Sequence, residues 1–262
     1  MQTLVSSTTV DDPRVCRREQ LEQTLAAALH RLGWSLSTPQ WTAQQLLIYA
    51  PGGGLGHLTR AVNVARLLGP ATIIHTSRWL GSVCPPDVNL VAVPAGQRTA
   101  SALSALLDRL MGAVRMLIVD TFPGGLAGEL TDAILERVGC RVMVQRYLKT
   151  EAYPDYHALI QRYTHILRPY PNDACEWDGD GLGQAVGYMV RPLSIDTIRT
   201  QRRPWTLLGA AQNLPRHWWS VMGQGRWIRG AFELLPDAPV VAVGAGYNTT
   251  YELLTLGLPF AL

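Results

Sequence analysis

The stretch from residue 45 to residue 68 constrains the fold of this chain more than any other. It opens with the apolar run 46–50, which predicts a buried strand, and Pro51 ends that run. Four glycines follow within five residues. Apolar side chains then recur at helical spacing, at Leu58, Val62, Ala65 and Leu68. A strand, a glycine turn and a helix in this order are typical of an α/β domain, and the start of such a helix favours phosphate or another anion.

The glycine turn matches neither of two common nucleotide-binding patterns. A phosphate loop ends in Gly-Lys-Ser/Thr, whereas Gly56 is followed by His57. The dinucleotide fingerprint needs glycines at its first, third and sixth places, but the sixth place is His57 when counted from Gly52 and Thr59 when counted from Gly54. This mismatch disfavours a nicotinamide-dependent oxidoreductase. The chain instead has an imidazole where the predicted helix begins.

Composition narrows the class of protein. The 262 residues are 47% hydrophobic and 16% charged, which allows a core in one large or two modest domains. A net charge of +3 is compatible with an anionic ligand but comes without the basic clusters of a nucleic-acid-binding protein. The four cysteines lack paired spacing, so neither a zinc site nor a disulfide framework is predicted, and a cytoplasmic location is expected. No apolar run approaches the ~20 residues of a membrane helix.

Short apolar runs alternate with helical patterns after the glycine turn. The predicted strands cover 71–75, 89–93, 115–119, 141–145 and 165–167, and the predicted helices cover 99–110, 125–138 and 155–163. This alternation predicts a parallel sheet with helices on both faces and ligands beyond the carboxyl ends of its strands, where His57 and Asp120 lie. Residues 14–32 predict an amphipathic helix that packs on the flank of the domain, with a partner-binding helix as the alternative.

The second half of the chain repeats the opening pattern. It has a strand-like run at 205–208, a predicted strand at 238–243, a glycine turn at 244–248, a helix at 249–256 and the beginning of a strand at 258–262. Trp218, Trp219 and Trp227 lie near several arginines, and burial in a small domain is favoured over a cation–aromatic surface for a sugar or lipid. Glu252 lies in the first turn of the predicted helix, where the helix dipole alone would favour a carboxylate.

Three stretches together resemble the glycosyltransferases of the two-Rossmann-domain (GT-B) type, close to the MurG and UDP-glycosyltransferase group and similar to glycosyltransferase family 28. They are 52–60, which resembles the loop of the N-terminal domain; 120–130, which resembles the segment after the fourth strand; and 244–252 with the following Leu-Gly-Leu-Pro259, which resembles the donor-binding signature. The resemblance implies an α/β fold of two Rossmann-like domains. It divides the chain into an extension at 1–43, an acceptor domain at 44–190 and a partial nucleotide-sugar-binding domain at 191–262.

The same resemblance implies an activity. A sugar would move from a nucleotide-diphosphate sugar, with a UDP-sugar as the family preference, to an acceptor hydroxyl, with inversion and without a metal or cofactor. His57 is the implied base, which its position at a helix start should keep uncharged near pH 7. Asp120 would orient His57 or the acceptor. The alternatives are that His57 only caps the helix and that Asp120 is a strand-end turn residue.

The donor would contact both predicted domains. The implied donor-binding residues are Gly53, Gly54 and Gly56 in the first glycine turn, and Gly246, Tyr247, Asn248, Thr249 and Glu252 in the second half. Glu252 would accept hydrogen bonds from the ribose hydroxyls, because a carboxylate suits a vicinal diol. The acceptor would be a small molecule or a lipid, which allows peripheral membrane contact, and no nucleic acid is expected.

The predicted second domain is short. Residues 191–262 number fewer than the ~100–150 of a common domain, and the chain ends inside a predicted strand. The segment that holds the donor sugar in related enzymes would follow Pro259. Two interpretations therefore stand: a glycosyltransferase or a fragment of one, and a reduced, catalytically inactive relative that binds a nucleotide sugar or a partner protein.

Overall fold

A computed structural model gives the fold of the chain in two compact units, Met1–Met189 and Val190–Leu262. The residues that it describes are 18–30, 32–37, 41–52, 55–77, 84–146, 155–169 and 183–186 in the first unit, and 206–209, 226–228, 240–243 and 260–261 in the second.

The first unit is an α/β domain built on a parallel sheet. Its elements are α1 (Arg18–His30), β1 (Leu46–Ala50), α2 (Leu55–Leu68), β2 (Ala71–His75), β3 (Val88–Ala92), a 3₁₀ turn (Ala95–Gln97), α3 (Ala100–Met111), β4 (Met116–Asp120), α4 (Asp132–Leu135), β5 (Cys140–Val144), α5 (Tyr156–Ile160), β6 (His165–Arg168) and β7 (Gln184–Ala185). Within the described ranges the strand order is β3-β2-β1-β4-β5-β6-β7, and every pair is parallel. This doubly wound order confirms the predicted α/β class and is Rossmann-like.

The central strands are buried on both faces of the sheet. Every residue of β1, β2 and β4 is buried, as expected when helices cover a parallel sheet on both sides. Successive side chains of β1 enter opposite cores: Leu46 and Ile48 pack with α1 and α2, whereas Leu47 and Tyr49 pack with α3, α4 and α5. Burial of each large apolar side chain stabilises the fold by roughly 1.5–3 kcal/mol.

The N-terminal helix α1 is part of this core. Leu25, Ala28 and Leu29 are at most 1% exposed and belong to the same apolar cluster as β1 and α2. The Cys140 thiol of β5 lies 3.5 Å from the Ala28 carbonyl oxygen, which places this face of the helix against the sheet. The face of α1 that carries Leu25, Ala28 and Leu29 is therefore occupied within the domain.

One predicted element is wrong. The helix predicted over 125–138 is a four-residue helix, α4, and the residues before it form turns. Gly125 and Gly128 have positive φ angles of 86° and 83°, which a continuous helix does not allow. The Glu129 carboxylate also accepts hydrogen bonds from the backbone N–H groups of Leu126 and Ala127, so these groups are bonded to a side chain instead of a helix ladder.

The second unit contains a small parallel sheet among its described residues. Its strands are β8 (Thr206–Gly209), β9 (Arg226–Ile228), β10 (Val240–Val243) and β11 (Phe260–Ala261). They are arranged in the order β11-β10-β8-β9, with each pair parallel. The strands predicted at 205–208, 238–243 and 258–262 thus have counterparts, whereas the glycine turn and helix predicted between β10 and β11 lie outside the described residues.

Candidate active site

The candidate site lies at the carboxyl edge of the first sheet, where the connections that leave two neighbouring parallel strands run to opposite sides of the sheet. The chain continues from β1 through a glycine-rich segment to α2, and the neighbouring strand β4 ends at Asp120. β2 lies on the other side of β1, so the strand order reverses between β1 and β4. Open α/β sheets bind ligands in the crevice at such a reversal. His57, in the first turn of α2, meets Asp120 there.

His57 is held on three sides. Its Nδ1 lies 2.5 Å from Oδ2 of Asp120, and its ring stacks on Phe122 with centroids 5.6 Å apart. On the third side is Gly52, where an added Cβ would come within 2.2 Å of the imidazole ring. The side chain keeps 13% of its surface exposed. Because Asp120 occupies Nδ1, Nε2 is the nitrogen left for a substrate proton.

Arg60 completes a buried group of three polar side chains. Its Nε and Nη2 each lie 2.8 Å from a different oxygen of Asp120, in the forked geometry of a strong arginine–carboxylate pair. Arg60 and Asp120 are 1% and 2% exposed. Burial alone would raise the pKa of Asp120, but the Arg60 charge and the hydrogen bonds from His57 and Arg60 together hold that pKa well below its usual range. Asp120 is therefore a carboxylate throughout the neutral range.

The backbone after Asp120 turns sharply. Among the described residues other than glycine, Thr121 alone has a positive φ, 73°. The N–H of Phe122 donates to the carbonyl oxygen of Asp120 at 2.9 Å, so the three residues form a γ-turn, a strained conformation for a β-branched residue. The Thr121 hydroxyl donates to Oδ2 of Asp120 at 3.2 Å. This turn places the Phe122 ring against His57.

A second buried carboxylate, Glu129, fixes the loop that carries Phe122. Glu129 is 1% exposed and accepts hydrogen bonds from the N–H groups of Leu126 and Ala127, at 2.8 and 2.7 Å, and from the Tyr49 hydroxyl. Burial, reinforced by the Glu129 charge, raises the pKa of Tyr49 far above its ordinary value. A Cβ at Gly125 would come within 2.4 Å of the Glu129 carboxyl group, so glycine is needed there.

The end of β2 supports the glycine turn from the other side. The Thr76 hydroxyl accepts from the Gly52 N–H at 2.8 Å and donates to the Gly52 carbonyl oxygen at 2.6 Å. The preceding residue, His75, is completely buried, and its ring nitrogens make no well-formed hydrogen bond beyond a weaker interaction with the Ser77 backbone. Burial lowers the pKa of His75, so this second imidazole is uncharged at neutral pH.

The structure thus brings together the two residues that the sequence predicts as catalytic, His57 and Asp120. Gly56, expected in the glycine turn, lies in the first turn of α2. Seven predicted donor-binding residues lie outside the described residues: Gly53, Gly54, Gly246, Tyr247, Asn248, Thr249 and Glu252. Sequence reasoning missed Arg60, although a helical residue three positions after His57 must lie on nearly the same face of the helix.

Comparisons with known proteins add no family assignment. No family model matches the chain, and the search of curated proteins gives no match. In the part of the chain that the structure describes, no group of three or more His, Cys, Asp or Glu side chains is arranged to hold a metal ion. None of the described helices has the length and apolar character needed to cross a membrane.

Proposed function

We propose that this protein is a glycosyltransferase that moves a sugar from a nucleotide-diphosphate sugar to an acceptor hydroxyl. The observation that carries the proposal is the contact between His57 and Asp120 at the strand-order reversal of a Rossmann-like sheet. A buried carboxylate bonded to Nδ1 of a part-exposed histidine is the arrangement that general-base chemistry requires. The resemblance of 52–60, 120–130 and 244–252 to GT-B enzymes supplies the substrate class.

The chemical step follows from the orientation of the imidazole. Nε2 of His57 would take the proton of the acceptor hydroxyl while that oxygen attacks the anomeric carbon of the donor. The bond between the anomeric carbon and the diphosphate oxygen breaks, and the nucleoside diphosphate leaves with the bonding electrons. Asp120 would stabilise the imidazolium that forms through its bond to Nδ1. Attack from the face opposite the leaving group would invert the anomeric carbon.

The donor would use anion-binding features rather than a cofactor. The start of α2 carries a partial positive charge and follows a glycine turn, a combination that suits a diphosphate. In the second unit, β10 leads into the glycine-rich segment that contains Gly246, Tyr247, Asn248 and Thr249, and Glu252 is proposed to bind the ribose. The proposal therefore includes a GT-B arrangement of the two units, a UDP-sugar donor, a small-molecule or lipid acceptor and a cytoplasmic location.

The test is a panel of nucleotide sugars combined with a panel of sugar, lipid and phenolic acceptors. Release of the nucleoside diphosphate and the mass of the glycosylated product are measured together for each pair. The proposal predicts a stoichiometric product for at least one pair. Binding of a nucleotide sugar without release, detected as a rise in melting temperature, would instead support the catalytically inactive binding module. If no donor binds and no nucleoside diphosphate is released, both the glycosyltransferase and the binding module are contradicted.

A further inference from the structure

The Asp120 carboxylate is shared between an imidazole and a guanidinium, and this sharing has a chemical consequence. Oδ1 accepts from Nε of Arg60, whereas Oδ2 faces Nη2 of Arg60 at 2.8 Å, Nδ1 of His57 at 2.5 Å and the Thr121 hydroxyl at 3.2 Å. Arginine can only donate, so two or more donors converge on one carboxylate oxygen. Nη2 also lies 3.3 Å from Nδ1 of His57, which brings a permanent positive charge next to the imidazole.

Among the described residues, one positive and one negative side chain contact His57. α2 contributes Arg60 and the positive end of its own dipole, and the end of β4 contributes Asp120. The other contacting groups, Phe122 after β4 and Gly52 after β1, are uncharged. After β2, the Thr76 hydroxyl bonds to Gly52 and the Arg98 guanidinium donates to the Thr76 carbonyl oxygen, and the buried His75 at the end of β2 is uncharged at neutral pH.

A carboxylate that lacks a cationic partner favours the charged form of a neighbouring histidine. The carboxylate attracts a proton to the imidazole, and the resulting imidazolium has no lone pair with which to accept another. A guanidinium bound to the same carboxylate offsets this attraction, since it neutralises the negative charge and repels a second positive charge nearby. Arg60 binds both oxygens of Asp120 in this way, and both side chains are almost completely buried.

We propose that Arg60 is a positioning residue whose guanidinium neutralises Asp120, so that His57 rests as an uncharged imidazole with its proton on Nδ1 and its lone pair on Nε2. This resting state stands apart from any particular substrate. Its consequence for turnover rests on the function proposed above. The group of three carries no net charge before the reaction and gains one positive charge when Nε2 takes the acceptor proton, as negative charge develops on the departing diphosphate.

The test measures the proton on His57 directly. Ring ¹H–¹⁵N NMR spectra are recorded against pH for the unaltered protein and for Arg60→Met, Arg60→Lys, Asp120→Asn and Arg66→Met. The His57 signal is assigned among the six histidines of the chain by its loss in His57→Gln. Arg66 is exposed on the same helix, two turns beyond His57, and Arg66→Met is the matched control for loss of a positive charge. Thermal melts show which variants are folded.

Arg60→Met is expected to move the titration midpoint of His57 to higher pH, because the carboxylate is no longer neutralised. Asp120→Asn is expected to lower the midpoint, because the positive charge of Arg60 then disfavours the imidazolium with no carboxylate to offset it. Arg60→Lys should have a midpoint between those of Arg60→Met and the unaltered protein, since an ammonium group supplies the positive charge without the forked pair of hydrogen bonds. Arg66→Met should leave the midpoint in place. If Arg60→Met does not fold, the neutral and polar variant Arg60→Gln takes its place, and the direction of its shift decides the proposal.

An unchanged or lower midpoint in folded Arg60→Met, or an unchanged or higher one in Asp120→Asn, overturns the assignment of Arg60. Once an active substrate pair is known, the acid limb of the rate profile in Arg60→Met should move to higher pH together with the NMR midpoint, with turnover recovering in alkali. If the NMR midpoints shift as expected but neither the unaltered protein nor any variant shows turnover, the enzyme function is refuted and the role of Arg60 stands. Turnover in Arg60→Met with the acid limb at its original pH would refute the role of Arg60 and leave the enzyme function intact.

Discussion

At the scale of single residues, the site depends on the contacts that His57, Arg60 and Asp120 make with one another. His57 and Asp120 are evident in the sequence because one follows a glycine turn and the other ends an apolar strand. Arg60 was not predicted, because the sequence shows a helical arginine but not the carboxylate that lies beneath it. Thr121 was also missed, since nothing in its neighbours indicates a φ of 73°. Strain of this kind arises from tertiary contacts that a local pattern does not contain.

Asp120→Asn removes the carboxylate charge and leaves the shape almost unchanged. We expect turnover with a suitable substrate pair to fall by about 10²–10⁴-fold, the usual contribution of a general base, because the amide no longer stabilises an imidazolium. Donor binding should change little. Steady-state rates and donor titrations separate these effects. Turnover within a few-fold of the unaltered protein would contradict the role of Asp120.

Gly52→Ala tests how closely the glycine turn approaches His57. Gly52 has a φ of 147°, and an added Cβ would come within 2.2 Å of the ring, so the ring must move. We expect a loss of about 1–3 kcal/mol in the free energy of unfolding together with impaired turnover. Gly112→Ala is the matched control, because Gly112 has a helical φ of −59° and open space at its Cβ. Equal unfolding free energies for the two variants would show that the ring is not held as described.

At the scale of elements, the sheet was predictable and the loop beside the site was not. Nine of the described strands were predicted within one or two residues, because continuous apolar runs between polar turns are a strong signal for buried parallel strands, whereas the short strands β7 and β9 were not predicted. The loop before α4 was predicted as helix because its apolar residues have helical spacing. Instead, Glu129 accepts hydrogen bonds from two backbone N–H groups of this loop and from the hydroxyl of Tyr49, which lies on a strand distant in sequence.

Glu129→Gln should loosen that loop. The carboxylate accepts from two backbone N–H groups and a tyrosine hydroxyl, and an amide replaces one accepting oxygen with a donor. We expect a loss of about 1.5–3 kcal/mol in the free energy of unfolding and faster amide hydrogen exchange at Leu126 and Ala127. Glu136→Gln, at an exposed position in the same region, is the control. Unchanged exchange rates at both amides would refute the anchoring role.

At the scale of the whole molecule, the sequence predicted a Rossmann-like α/β sheet with a site at its carboxyl edge. The first unit has that sheet, and His57 contacts Asp120 at that edge. α1 extends that domain at its N-terminus and shares its core. The second unit contributes four parallel strands, of which the predicted strand at 238–243 supplies β10. That two such units bind a donor between them is a proposal that depends on the resemblance, since no property of a single strand–turn–helix pattern fixes how two units meet.

Buried titratable groups predict how the stability of the fold depends on pH. The pKa of His75 is lower in the fold than its ordinary value of about 6.5, so the unfolded chain takes up protons first as the pH falls. The stabilisation from an uncharged His75 is complete above that ordinary value and is lost progressively toward the lower folded pKa. Urea melts between pH 7 and pH 5 should therefore show falling stability. His75→Leu should flatten this slope, and exposed His30→Gln should not.

The central claim is tested most directly by comparing donor binding and turnover in the unaltered protein and in His57→Ala. The donor is the nucleotide sugar that raises the melting temperature most, and turnover is measured as nucleoside diphosphate released together with glycosylated product. The account predicts that His57→Ala binds this donor with an affinity within a few-fold of the unaltered protein and loses turnover by at least about 10²-fold. A folded His57→Ala protein that transfers the sugar at the full rate would contradict it.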